Sequence, residues 1–150
     1  MKSFRGERRI AVKIMVGYDC SEHAQIALDR TVEMFKPLKP EIIIVSVVES
    51  SRDASVDSEV IFNRGEDERR ACLQGAVSGV AANGLDVDAI LAVGDPREML
   101  MRAIADKNPD MLVVGKRGGG TLAGMVLGSV SAYLVRHVKC PVLVFHQKGG

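Results

Sequence analysis

The sequence has no tryptophan and few aromatics of any kind, 4% in all, so its core must come from Val, Ile, Leu, Met and Ala. It has no excess of either charge: 20 Lys and Arg stand against 19 Asp and Glu, a formal net charge of +1. Without a global field there is no general attraction to nucleic acid or an acidic membrane surface, and neither partner is expected. No apolar run approaches the ~20 residues that span a bilayer. The opening stretch, Met1 to Arg9, is charged and lacks the apolar segment of a secretory signal. Cysteine is scarce. Cys20, Cys72 and Cys140 are far apart and odd in number, which predicts no disulfide framework and a reducing compartment. These absences together predict a cytoplasmic protein with a flexible, solvated tail over residues 1–9 and one domain over 10–150.

What is present is regular. Five short apolar runs alternate with four helical patterns. Ala11 to Gly17 reads as a first strand. Ala24, Ala27, Leu28, Thr31, Val32 and Phe35 then step by three and four, the signature of a one-faced helix, which Pro37 and Pro40 end. Ile42 to Val48 is apolar without alternation, as in a central strand covered on both faces. Residues 49–65 are polar and mixed, the longest stretch without a pattern, and read either as a flap or as an inert surface loop. Leu73, Ala76, Val77 and Val80 mark a second helix that stops at Asn83-Gly84. Val87 to Val93 is a third strand. Asp95 as N-cap and Pro96 as first helical residue open the third helix, with Met99, Leu100, Ala103 and Ile104 facing inward. Met111 to Val114 is the fourth strand; Val130, Tyr133, Leu134 and Val138 lie on one side of a fourth helix; Pro141 to Phe145 is the last strand. Strict alternation predicts an α/β fold, a single three-layer domain with a parallel five-stranded sheet and helices on both faces.

The most informative segment is Gly115-Lys116-Arg117-Gly118, nine residues, then Gly128-Ser129. Glycines after a strand let backbone N–H groups approach an anion, and a helix N-terminus adds unpaired donors and partial positive charge. Lys116 and Arg117 put cations nearby. The competing reading is a flexible turn followed by a helix capped by Ser129. The segment is not a Walker A loop, since no Gly-Lys-Ser/Thr follows, and it lacks the spacing of a dinucleotide fingerprint. A second element ends the first strand: Gly17-Tyr18-Asp19-Cys20-Ser21-Glu22. Asp19 there suits an adenine amino group or a ribose hydroxyl; otherwise Asp19 or Ser21 caps the next helix, with Glu22 completing a capping box in the first case. Ligands of open parallel sheets sit beyond the strand carboxyl ends where the winding reverses. With strand order 3-2-1-4-5, the Asp19 loop and the glycine loop share one crevice.

Other residues suggest chemistry less well. His137 and Cys140 are only two candidate metal ligands where a structural zinc needs about four, so no metal role is expected. Cys20 is either redox-sensitive or a small inert residue behind its loop. No Ser/His/Asp or Cys/His triad follows from spacing, and no general base for attack of water on a nucleotide stands out.

Gly-x2-Gly-x9-Gly-Ser, filled by Gly115, Gly118, Gly128 and Ser129, resembles the nucleotide signature of the ATP-binding branch of the universal stress protein family. Asp19-Cys20-Ser21, Gly94-Asp95-Pro96, Gly128 to Ser131 and Cys140 to Val144 extend the similarity from Ile14 almost to the end. The resemblance implies an adenine nucleotide alpha hydrolase-like fold. It implies that Gly17, Tyr18 and Asp19 line the adenosine end and that Val47 touches the adenine. Val114 and Gly115 then flank base and ribose, while Gly118, Gly128, Ser129 and Val130 hold the phosphates. It further implies ATP, ADP or AMP as ligand, Mg2+ or Mn2+ held by the phosphates, and a homodimer through residues 141–145. Lys116-Arg117 departs from the small or polar residues common in the family and either tightens triphosphate binding or crowds the mouth of the site. The expected function is a nucleotide-dependent stress-response or signalling module with at most slow ATP hydrolysis. The alternatives are a weak ATPase or phosphoryl-transfer enzyme using the same pocket, and a nucleotide-free interaction protein, which the intact glycines disfavour.

Overall fold

The structure, a computed structural model, describes residues 11–49, 56–116 and 128–146. Five parallel strands alternate with helices: β1 (Lys13–Gly17), α1 (Glu22–Phe35), β2 (Glu41–Val48), α2 (Val56–Ala81), β3 (Asp86–Val93), α3 (Pro96–Lys107), β4 (Met111–Lys116), α4 (Ser129–His137) and β5 (Val142–His146). The sheet order is β3-β2-β1-β4-β5, the order expected of a chain that begins mid-sheet. The chain starts mid-sheet, winds outward through β2 and β3, and returns to the other side of β1.

Side chains on a strand point alternately to opposite faces, so an unbroken apolar run feeds two cores. Ile14, Val16, Ile42, Ile44 and Val113 pack under α1 and α2 against Ala27, Leu28, Leu73 and Val80. Met15, Ile43, Val45, Leu112 and Val114 face α3 and α4, against Leu100, Ala103 and Leu134. Each fully buried Ile, Leu or Val contributes roughly 1.5–3 kcal/mol. The sheet is thereby held rigid from both sides, and its strand ends become fixed points.

Helix starts are set by local chemistry. Ser21 caps α1 by accepting from the Ala24 N–H at 3.2 Å. Asp95 caps α3, accepting from the Arg97 and Glu98 N–H groups at 3.0 and 3.1 Å, with Pro96 as first helical residue. Gly84 follows α2 with φ +75°, a left-handed conformation that suits glycine after the expected stop at Asn83.

Three expectations need correction. The patternless stretch 49–65 is not one loop: α2 begins at Val56 and runs for 26 residues, so its last ten positions are helical. Gly115 and Lys116 do not belong to a turn, because β4 continues through both, pairing Gly115 with Phe145 and Lys116 with His146. Most consequentially, Cys20 and Cys72 are joined in a disulfide across 52 residues, where none was expected. Their spacing in the sequence is uninformative, but the fold brings the two Cα atoms to 6.4 Å, within the bridging range. Among the described residues no helix is long and apolar enough to cross a membrane.

Candidate functional site

β1 and β4 pair only as far as Val16 and Val113, so beyond that point the central strands part. A crevice of about 600 Å3 opens there, over the carboxyl ends of β1, β2 and β4, with α2, α3 and α4 contributing to its walls. It is lined by Gly17, Tyr18, Asp19, Val47, Val114, Gly115 and Val130 from the expected set. Gly128 and Ser129 stand at the start of α4 immediately before Val130 and Ser131, which do line the crevice. Lys116 does not: it is 6% exposed and outside the lining. Arg117 and Gly118 lie outside the described residues. A groove of about 630 Å3 between α1 and α2 shares only Tyr18 with the crevice and lies away from the strand ends.

The end of β2 supplies a backbone donor and acceptor together. Val45 faces β1, since its carbonyl accepts from the Tyr18 N–H at 2.8 Å. Val48 faces the other way, its carbonyl accepting from the Gly94 N–H at 2.9 Å. Directions alternate along a strand, so Val47 turns its N–H and C=O toward the β1 side. β1 has ended by then, at Gly17 opposite Val45, leaving this pair facing the crevice. The Arg69 guanidinium reaches over from α2, donating to the Ser46 hydroxyl at 3.0 Å and to the Val47 carbonyl at 3.4 Å.

Beside it stands a compact polar cluster. Asp19 accepts from the Ser21 N–H at 3.0 Å and from the Ser21 hydroxyl, and its other oxygen lies 3.6 Å from His23 Nε2. Ser21 Oγ in turn lies 3.0 Å from the same His23 nitrogen. Burial would raise the Asp19 carboxyl, but the two bonds from Ser21, and then the His23 and Arg69 charges, hold it below the usual aspartate value. The Tyr18 hydroxyl is pushed the other way, first by burial and then by Asp29 and Asp19, and it donates to Gln25 Oε1. Ser21 was expected to cap the helix, and Asp19 either to cap it or to meet a ligand. Here Ser21 caps α1 while Asp19 faces the crevice.

The opposite wall is backbone. A Cβ on Gly115 would lie 2.5 Å from the His23 carbonyl oxygen, so glycine is required there by the approach of α1, not by a turn. Gly128 precedes α4 and has no side chain to cap the first-turn N–H groups of Ser129, Val130 and Ser131. Among the described residues no three His, Cys, Asp or Glu side chains converge as metal ligands.

The family model described as the universal stress protein family matches residues 12–146. The chain belongs to this family. Among curated universal stress proteins it is 30% identical over 146 residues to YxiE of Bacillus subtilis strain 168, covering 88% of this chain and 97% of that protein. Among solved structures it is 30% identical to MJ0577, with a TM-score of 0.79, over 93% of this chain and 98% of the other. A universal stress protein in complex with cAMP is 28% identical, with a TM-score of 0.69, over 91% of this chain and 97% of the other. The match in fold and length to these proteins agrees with the sheet order and four helices described above.

Sequence reasoning missed Arg69, Ser21's bond to Asp19, and His23. Arg69 lies upstream of Leu73, in a part of α2 whose start the sequence left open, so nothing in the sequence points it at Val47. The spacing Asp19-x-Ser21-x-His23 was visible, but only the turn at Cys20, φ +66°, brings the three together.

Proposed function

We propose that this universal stress protein is an adenine-nucleotide-binding module whose ligand lies in the crevice between β1 and β4. The observation that carries the reading is the Val47 N–H and C=O pair facing the crevice past the end of β1. Adenine presents an amino donor beside a ring-nitrogen acceptor, which complements a carbonyl beside an N–H; guanine places O6, an acceptor, against the carbonyl. Asp19, kept ionised, accepts from ribose hydroxyls. Val114 and Gly115 flank base and ribose, and Gly118, Gly128, Ser129 and Val130 receive the phosphates through backbone N–H groups and the α4 N-terminus. The similar universal stress protein solved with cAMP supports an adenine ligand in such a fold.

Mg2+ or Mn2+ would take its ligands from the phosphates, the described residues offering no cluster of their own. A homodimer through β5 is part of the proposal: β5 is a sheet edge, and a second copy would cover its outer backbone groups and the half-buried Val142, Leu143 and Val144. So are a cytoplasmic location and a stress-response or signalling role, for which the support is family membership.

Calorimetry with AMP, ADP, ATP and GMP, with and without magnesium, tests the site. Adenine nucleotides are expected to bind and GMP to bind much more weakly. At 100 times its dissociation constant a ligand raises stability by about 2.7 kcal/mol, so thermal melting gives a second readout. If millimolar adenine nucleotide neither releases heat nor shifts the melting temperature, the proposal fails. Sedimentation of the purified protein, expected at dimer mass, tests the β5 interface.

A further inference from the structure

The disulfide sits where one covalent change reaches two parts of the crevice wall. Cys20 lies between Asp19 and Ser21, whose side chains bond to each other across it, and its φ of +66° is a conformation few L-residues adopt. Cys72 lies on α2 three residues beyond Arg69, so the two share a helix face, and Arg69 is the side chain that reaches Ser46 and the Val47 carbonyl. The sulfur of Cys72 is also 3.8 Å from the Tyr18 hydroxyl oxygen. The bond therefore ties the Asp19 loop, the helix carrying Arg69 and the neighbourhood of Tyr18 together. Both cysteines are half-buried, open to a small oxidant or reductant. Cys140 packs in the other core, under α3 and α4, and is not a competing partner.

We propose that Cys20 and Cys72 form a reversible redox site that controls the geometry of the crevice and, through it, nucleotide affinity. For its ligand the proposal rests on the adenine-nucleotide reading. The oxidant is a hydroperoxide. One thiolate attacks the peroxide O–O bond, forming a sulfenic acid and releasing water when the oxidant is hydrogen peroxide. The second thiolate then attacks that sulfur; the S–S bond forms, the S–O bond breaks, and hydroxide leaves and is protonated to a second water. Two thiols thus give up two electrons and two protons to one peroxide. A dithiol reductant reverses the step by exchange.

The direction follows from freedom lost. With the bond closed, the left-handed turn at Cys20 and the position of α2 are held before ligand arrives, so less ordering remains to oppose binding. With it open, the Asp19 loop and Arg69 are no longer coupled. The oxidised protein is the tighter binder.

The test is calorimetry with AMP on protein treated with one equivalent of hydrogen peroxide or with excess dithiothreitol, each state verified by the mass difference of two hydrogens. AMP is expected to bind the reduced form about tenfold more weakly. The double variant Cys20→Ser/Cys72→Ser should bind like the reduced form in both treatments, and Cys140→Ser should respond as the unaltered chain does. Equal affinity in the two states, or a response that survives in the double variant, overturns the proposal. If AMP binds neither state, the nucleotide reading fails separately. Hydrogen exchange of the amides of residues 17–21 and 64–72 then decides the redox control: faster exchange on reduction sustains it, and unchanged exchange refutes it.

Discussion

The two walls of the crevice are built by opposite means. At the ends of β1 and β2 the wall consists of side chains bonded to one another: Asp19 to Ser21, Ser21 to His23, Arg69 to Ser46, and Cys20 to Cys72. At β4 and α4 the wall consists of backbone with side chains taken away, at Gly115 and Gly128. The first is positioned by specific partners and has room to spare. A Cβ on Gly17 would meet Val114 Cγ1 at an ordinary 3.6 Å. The second is positioned by close approach at Gly115, where a Cβ would lie 2.5 Å from the His23 carbonyl oxygen, while a Cβ on Gly128 would meet nothing within 4 Å. Substitution by chemistry should therefore damage one wall, and substitution by volume the other.

The largest effect belongs to the bonded wall. Closing a loop across 52 residues removes chain entropy worth about 4 kcal/mol from the unfolded state. Urea unfolding with and without dithiothreitol should differ by about that amount. A difference below about 1 kcal/mol would mean that α2 and the Asp19 loop are held together without the bond, and the contrast between the walls would rest on hydrogen bonds alone.

Next comes the close-packed wall. Gly115→Ala forces a methyl group against main chain that cannot rotate away, at a cost of about 1–3 kcal/mol. Gly17→Ala, in ordinary contact, should cost well under 1 kcal/mol. Thermal melting of the two variants side by side checks the pair; equal losses would erase the distinction drawn between them.

How much of this was legible beforehand follows the same division. The elements and both cores were readable because unbroken apolar runs such as Ile42 to Val45 and one-faced helices such as Ala24 to Val32 express themselves locally, whereas the strand order came with the family resemblance. The Asp95 cap and Pro96 were readable because capping chemistry lies within three residues. The crevice followed from topology, and Val47 came from the family resemblance. Contacts between distant segments were not readable. Cys20 and Cys72 are 52 residues apart, and pairing is a property of the fold. Gly115 announced the absence of a side chain but not the reason, which is the His23 carbonyl on another element. The start of α2 was missed because Val60, Ile61 and Phe62 are one consecutive apolar triplet between Asp57-Ser58-Glu59 and Asn63, and do not mark a helix face.

A smaller loss is expected at the junction of cap and site. Ser21→Ala removes the α1 cap and should cost about 1 kcal/mol, measurable by urea unfolding. Ser21→Asp restores a capping acceptor and should recover most of that stability. It should not recover nucleotide affinity, because it sets a second carboxylate against Asp19 where a hydroxyl donor had been. Recovery of both would show that Ser21 serves the helix and not the crevice.

The smallest effect separates hydrogen bonding from charge within the Asp19 cluster. Asp19 has a folded-state value below its unfolded one, so it contributes stability above the unfolded value of about 3.9 and loses it as pH falls through the folded value. Its side chain is 49% exposed, so the contribution is modest and its charged part is screened by salt. Asp19→Asn should flatten the acid limb of a stability profile taken from about pH 6 to about pH 3. The two bonds from Ser21 depress the carboxyl more than the His23 and Arg69 charges do. Molar salt should therefore leave most of the slope in the unaltered chain, whereas Ser21→Ala should remove most of it. If salt flattens the limb as much as Ser21→Ala does, the bonded wall is held by charges rather than by hydrogen bonds, and His23 and Arg69, not Ser21, keep Asp19 ionised.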